Sequence, residues 1–396
     1  MQDGDVATIL GDVAAGFEPV REAFAANFAG HGDIGAAVCV YRDGRPVVDL
    51  WGGVADPDGG RPWMRDTLQL VYSATKGATA TAAHLLAQRG ALDLDAPVAE
   101  YWPEFAANGK ADIPVRWLLS HRAGVVAVDD PVPLADALAW QPMVAALAAQ
   151  QPAWRPGTAH GYHGRTFGWL VGELIRRVSG RTPGRFFADE IAAPLGLDFF
   201  IGLPASERGR VSRMVYKQPD FDFAAAPPES IPEQFRELMA ALLDPNSLYN
   251  KAFSVTDPAE IDFNSPEVQA SEIPASNGIG TARALARMYA ALIGEVDGVR
   301  LLTPETLAAA TKEQAVGIDR VILVPTRFSL GYALPTEVTP MTGPNSFGHP
   351  GRGGSLGFAD PEHRIAFGYV MNHIIEDAPN DVRATSLVDA VRKSLA

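Results

Sequence analysis

The two ends of this chain read alike and its middle does not, and that asymmetry limits the folds open to it. Near the amino end two strand-like runs, Ala36 to Tyr41 and Pro46 to Trp51, flank Arg42-Asp-Gly-Arg45. An Asp-Gly between such runs predicts a β-hairpin. Near the carboxyl end Gly354 to Ala359 and Ile365 to Met371 flank Pro361-Glu-His-Arg364. Asp381 to Leu395 follows, with Val382, Leu387, Val391 and Leu395 on a helical stripe. Residues 6 to 28 place Ile9, Val13, Phe17, Val20, Phe24 and Phe28 at steps of three or four, which predicts one helical face there.

From about Ala96 to Ser271 the texture changes to helical pieces separated by loops rich in Pro and Gly. The clearest helix is predicted over Thr166 to Val178, with Gly180 as its stop. The simplest architecture is α+β: an antiparallel sheet domain with helices, built from residues 1–95 and 272–396 and interrupted by a mainly helical domain, 96–271. Within the latter, 211–271 carries many Pro, acidic and aromatic residues with weak periodicity. It reads either as a long structured excursion over a pocket or as a surface insertion. Phe221, Phe223, Phe235, Leu243, Tyr249 and Phe253 are its candidates for an apolar acyl or alcohol pocket, or for the insertion's own core.

Composition enters as exclusion. With 47% hydrophobic and 20% charged residues, the 396-residue chain can bury a substantial core and is not disordered. Its net charge of −14 argues against nucleic acid or an anionic membrane as the main partner. A single cysteine, Cys39, forbids an intramolecular disulfide, and its apolar run makes it read as a small core hydrophobe. Met1-Gln-Asp-Gly-Asp5 carries acid where a secretory signal needs basic residues, and no apolar segment is long enough to span a bilayer. The expectation is a soluble cytoplasmic protein. No His/Asp/Glu spacing suggests a metal site, and no cofactor is expected.

Three segments carry chemistry. In Leu68-Gln-Leu-Val-Tyr-Ser-Ala-Thr-Lys76 a strand-like run ends at Ser73, and a helix of small residues begins there. Ser73 and Lys76, three apart, share a helix face. One reading is a serine N-cap followed by a solvated lysine. The other is a nucleophile with its base: a cation in the first helical turn faces the positive end of the dipole, and desolvation there favours the neutral amine that could take the serine proton. The Ser73 amide is then placed as one oxyanion donor. In Trp154-Arg-Pro-Gly-Thr-Ala-His-Gly-Tyr-His-Gly164, Tyr162 approaches the clearest helix, from where a side chain can be aimed into a cleft; lone tyrosines are ordinarily structural. His163 is expected to point into the helical domain, and His121 and His160 to be loop or core histidines. In Phe347-Gly-His-Pro-Gly-Arg-Gly-Gly-Ser-Leu-Gly-Phe358 the glycines suggest a strand edge whose amides face a pocket, with His349 at its mouth. His349 either contacts substrate or hydrogen-bonds within the loop. Gly353-Gly-Ser-Leu-Gly357 also matches a nucleophile elbow centred on Ser355, but no helix pattern follows it.

In this order, Ser73-x-x-Lys76, Tyr162 and His349-x-Gly351 resemble the serine β-lactamase and penicillin-binding-protein superfamily, for which S-x-x-K is a known signature. Val115-Arg-Trp-Leu-Leu-Ser-His-Arg-Ala-Gly124 and Ser276-Asn-Gly-Ile-Gly-Thr-Ala-Arg-Ala-Leu-Ala-Arg-Met-Tyr289 extend the likeness, which runs from about Glu22 to Met371. The chain is most similar to family VIII carboxylesterases, esterases of class C β-lactamase-like fold. The resemblance implies a β-lactamase/transpeptidase-like fold and a serine carboxylesterase hydrolysing small to medium esters through an acyl-Ser73 intermediate. Lys76 and Tyr162 would share proton transfer. Oxyanion and substrate contacts would come from the Ser73 amide and the stretch His349, Gly351, Arg352, Gly353, Gly354 and Ser355. Two departures stand out. Gly164 occupies the place of an asparagine, and His349-Pro350-Gly351 replaces Lys-Thr-Gly. Loss of that lysine favours neutral esters over β-lactams. The alternatives are β-lactamase, D-amino-acid amidase or peptidase, or acyltransferase on the same machinery, and a non-catalytic scaffold of the same fold.

Overall fold

The computed structural model describes residues 7–217, 233–375 and 381–396. Its main sheet contains β1 (Ile9–Val13), β2 (Gly35–Arg42), β3 (Arg45–Asp56), β4 (Phe347–Pro350), β5 (Leu356–Asp360) and β6 (Ile365–Met371). The order across the sheet is β1-β3-β2-β6-β5-β4, all antiparallel, with the short strand Arg61–Pro62 paired onto β3. Strands from the two chain ends meet where β2 pairs with β6, Cys39 opposite Gly368. The predicted hairpin is there, turned by Asp43 and Gly44 with φ of 53° and 74°, the left-handed pair that a tight Asp-Gly turn supplies.

The helices that matter for the site are α1 (Glu18–Gly30), α2 (Thr75–Gln88), α3 (Thr166–Ser179), α4 (Glu233–Leu243), α5 (Leu248–Phe253), α6 (Ala282–Ile293) and α7 (Val382–Leu395). The sheet is buried on both faces, and β2 shows why. Ala36, Val38 and Val40 join Val20 and Phe24 of α1 and Leu387, Val388 and Val391 of α7 in one cluster. Cys39 and Tyr41, on the alternate positions, join Leu285 and Tyr289 of α6. Period-two alternation in a strand with two covered faces therefore reads as a continuous apolar run. Cys39 is fully buried, and burial raises its thiol pKa well above the ordinary value, as suits a core residue.

The second cluster continues without a break through α2 into the helical middle, taking in Trp102, Leu118, Leu147 and Phe167. α2 thus lies inside the protein, between the sheet and the helical part. The helix predicted from Thr166 runs to Ser179 and is capped by Gly180.

One expectation fails at the amino end. The first half of residues 6–28 is strand β1, paired with β3 from Ile9↔Gly52 to Val13↔Val48, and the helix starts only at Glu18. Ile9, Val13 and Phe17 are four apart, a spacing that a strand's period of two satisfies as well as a helix's. Gly11, at φ 99° and closely packed against the Asp49 carbonyl, is the residue that rules out a helix there.

Candidate active site

Ser73 sits on a sharp corner. The chain leaves the short strand Gln69–Leu70, passes through a single 3-10 turn at Tyr72–Ala74 and enters α2. Tyr72 takes a left-handed φ of 46°, a conformation that costs an L-residue about 1–2 kcal/mol. From Val71 to Leu86 every residue is buried except Ser73, which keeps partial exposure. Strain and selective exposure thus fall on the same turn.

Lys76 is fully buried in the first turn of α2. Its Nζ lies 3.2 Å from Ser73 Oγ, 2.8 Å from the Gly164 carbonyl and 3.1 Å from the Ala275 carbonyl. Burial first, and the Arg165 charge second, hold its pKa well below that of an ordinary lysine. The contacts fit the neutral amine: two N–H groups donate to the two carbonyls, and the lone pair is left for the Ser73 hydroxyl. The Tyr162 hydroxyl interacts with Ser73, and Lys76 Nζ stands 4.7 Å from its ring centroid. Burial raises the Tyr162 pKa, which keeps the phenol protonated at neutral pH. Serine, amine and phenol are therefore in mutual contact, and their preferred protonation states differ.

Tyr162 is held from several sides. Its ring stacks on Phe328 at 6.0 Å and on His349 at 6.0 Å, and the His121 ring lies 5.1 Å away. Its backbone N–H donates to Asp319 Oδ1 at 3.0 Å, and the same oxygen accepts from the amides of Val321 and Ile322. Asp319, fully buried in the turn after the strand Ala315–Ile318, thus anchors the tyrosine by its backbone. Nothing in the local sequence marked it, because an isolated Asp in a loop carries no motif. His121 Nδ1 accepts from the His163 amide at 3.1 Å, His163 Nδ1 meets the Gly161 carbonyl, and His160 pairs with Thr326. His121 and His160 are thus packed inside as expected, His160 on a side chain rather than the backbone, while His163 Nε2 is buried with no hydrogen-bond partner among the described residues.

The Gly-rich segment lies beside the Ser73 corner, but its residues are less exposed than expected. His349 is 2% exposed and sits against Tyr162 rather than at the mouth of the pocket. Its Nδ1 pairs with the Pro350 carbonyl at 2.7 Å, and burial with the nearby Lys76 charge pushes its pKa to about 3, leaving a neutral ring. Ser355 is fully buried and leads directly into strand β5, so the helix an elbow requires is absent. The Gly351 amide donates to the Ser355 carbonyl at 2.6 Å and the Gly354 amide to Gly351. Those two amides are committed within the loop and are not available as oxyanion donors beside Ser73.

That loop is braced from behind by Arg383 of α7, which is 1% exposed. Arg383 donates to the Gly353 carbonyl at 2.9 Å, to Asp33 at 3.2 Å and to Asp381. Tyr369 donates to both Asp33 oxygens at 2.9 Å. Burial pushes the Asp33 pKa up to about 7, against the pull of Arg383. Replacing Arg383 by Met leaves that carboxylate uncompensated and is expected to cost about 3–5 kcal/mol. A raised folded pKa means the folded state takes up a proton more readily than the unfolded chain, and loses that advantage as pH rises. Without Arg383 the loss continues to higher pH, so the deficit read from urea midpoints should be larger at pH 8 than at pH 6.

The excursion reaches the site through α5. Phe253 clusters with Trp154 and Tyr162, and a Cβ at Gly164 would stand 2.6 Å from its ring. An asparagine at 164 therefore has no room unless Phe253 moves. Leu243 at the end of α4 is 56% exposed. Phe221 and Phe223 lie outside the described residues, as does the Phe235 side chain.

A half-buried serine beside a desolvated lysine and a tyrosine, at the start of a helix buried between an antiparallel sheet and a helical region, is the arrangement of a serine hydrolase of the β-lactamase/transpeptidase type. The sequence matches the Beta-lactamase family over residues 20–392, and the chain belongs to that family. It is 39% identical to the Esterase/beta-lactamase LipL of Mycobacterium tuberculosis over 377 residues, 93% of this chain and 83% of the relative. A solved family VIII carboxylesterase superposes with a TM-score of 0.85 at 38% identity, covering 98% of this chain and 100% of that one. EstA from Arthrobacter nitroguajacolicus Rue61a superposes with a TM-score of 0.84 at 35% identity, covering 97% and 98%. Among the described residues no group of His, Cys, Asp and Glu is arranged to hold a metal ion, and no helix is long and apolar enough to cross a membrane.

Proposed function

We propose that this protein is a serine carboxylesterase acting on small to medium carboxylic esters through an acyl-Ser73 intermediate. The observation that carries the reading is the setting of Lys76: a buried amine with two carbonyl acceptors and its remaining contact on Ser73 Oγ. Lys76 takes the Ser73 proton as Oγ attacks the ester carbonyl carbon. The oxyanion is held by the Ser73 amide and one amide of Arg352, Gly353 or Ser355. The carbonyl re-forms as the bond to the alcohol oxygen breaks, and Tyr162, still protonated, passes a proton to that oxygen while Lys76 restores its own. Water then attacks the acyl carbon, gives its proton to the same pair, and releases the acid and free Ser73. The likeness to a family VIII carboxylesterase and to EstA supports ester as the substrate class.

The second reading is β-lactam hydrolysis, favoured by the double name of the LipL relative. Against it stands His349, a neutral imidazole on the strand beside the nucleophile, where the β-lactamases carry a lysine. Purified protein is expected to turn over p-nitrophenyl butyrate with a kcat/KM at least about 100-fold above that for nitrocefin, which amounts to about 2.7 kcal/mol of transition-state discrimination. Comparable rates on the two would make the β-lactam reading the better one.

A further inference from the structure

Arg165, one residue before α3, carries a guanidinium that the proton-transfer steps leave unused. It lies 5.4 Å from the centroid of Phe263. The Phe263 ring stands 5.2 Å from that of Tyr72, the residue preceding Ser73, and the Tyr72 hydroxyl is 2.7 Å from that of Tyr216. Arg165 thus belongs to the wall of the site formed by Tyr72, Phe263 and Tyr216. On its other side, the Gly164 carbonyl next to it in the chain holds Lys76.

The Nη1 of this guanidinium is buried and has no hydrogen-bond partner among the described residues. Of the titratable groups nearest to it, Tyr72, Tyr216 and Tyr162 are phenols that burial keeps neutral and Arg352 is a like charge; no carboxylate is among them. Asp319 acts on Tyr162, and Asp262 and Glu260 act on Tyr216, but none of the three pairs with Arg165. Arg383 shows what this fold does with a buried arginine that is purely structural: it is paired with Asp33 and Asp381. An unpaired buried guanidinium is costly, and its planar fork matches a carboxylate in two parallel hydrogen bonds. Burial lowers its pKa only to about 10, so it remains a cation at neutral pH.

We infer that Arg165 is a substrate-binding residue for esters bearing a carboxylate on the acyl or alcohol part, and that the anion pairs with the accessible side of its half-buried guanidinium, beside Ser73. The inference rests on the esterase reading and sharpens it. The missing asparagine and strand lysine favour neutral esters, whereas this guanidinium favours an anion.

Two matched pairs test the inference. Mono-p-nitrophenyl glutarate and its methyl ester differ by the acyl-side charge, and 4-butyryloxybenzoate and its methyl ester by the alcohol-side charge. Wild-type protein is expected to favour the anion in at least one pair by 10-fold or more in kcat/KM. Arg165→Gln should remove at least 10-fold of that ratio, and Arg165→Lys should restore part of it. Any effect of Arg165 through Lys76 is shared by both members of a pair, so the ratio isolates recognition of the charge. Absence of anion preference in both wild-type pairs, or a preference unchanged in folded Arg165→Gln, would overturn the inference. Failure to hydrolyse any ester would instead overturn the esterase reading. Calorimetry with mono-p-nitrophenyl glutarate on Ser73→Ala protein then still decides the anion site: binding weakened 10-fold by adding Arg165→Gln upholds it, and equal or absent binding refutes it.

Discussion

Ser73→Ala is expected to lower kcat/KM for p-nitrophenyl butyrate by about 10⁴-fold or more, without unfolding the chain. In the proposed mechanism the hydroxyl is the atom that becomes bonded to the acyl group, so no neighbouring group can take its place. The structural cost is small because Ser73 is only half-buried and its Oγ meets the side chains of Lys76 and Tyr162. Stability is expected to stay within about 1 kcal/mol of wild type in urea. Turnover retained near the wild-type rate would mean that another residue is the nucleophile.

Lys76→Ala is expected to lower kcat by about 10³-fold, and Lys76→Arg should not rescue it, because a guanidinium stays protonated and cannot accept the serine proton. The pH dependence follows from the same burial. A base works only when neutral, so activity falls as pH drops through the pKa of the coupled Lys76–Tyr162 pair. Burial holds Lys76 well below the ordinary lysine value, so the acid limb of kcat/KM should lie well below about 10.4. An acid limb at the ordinary lysine value would contradict the assignment. The linkage to stability has a definite sign. Between the depressed folded pKa and the ordinary one, the unfolded chain binds this proton and the folded chain does not, so the Lys76 contribution to stability rises with pH. Lys76→Ala should flatten that rise, as read from urea midpoints across pH 6 to 10.

The parts of the site that were legible in the sequence are those whose chemistry depends on short spacing. Ser73 and Lys76 are three residues apart on one helix, and Tyr162 stands directly before the clearest amphipathic helix in the chain. The sheet built from both ends was legible through its hairpin and its paired strand runs, because turn residues act locally. The strand at Ile9–Val13 was not, since a four-residue spacing serves both periods and Gly11 was the only local sign against a helix. Asp319 and Arg383 were invisible for a different reason: each acts on a residue far away in the chain. Asp319 anchors Tyr162 across 157 positions and Arg383 braces Gly353 across 30. The depth of His349 also comes from tertiary packing, beneath a tyrosine from another segment.

The central claim is that Ser73 is the acylated nucleophile. A fluorophosphonate probe, which reacts covalently with activated serines, tests it most directly when followed by peptide mass spectrometry of the folded protein. One equivalent of label on the peptide containing Ser73, lost in Ser73→Ala and slowed in Lys76→Ala, is the predicted result. Label on Ser355, or no label on folded protein, would contradict the account.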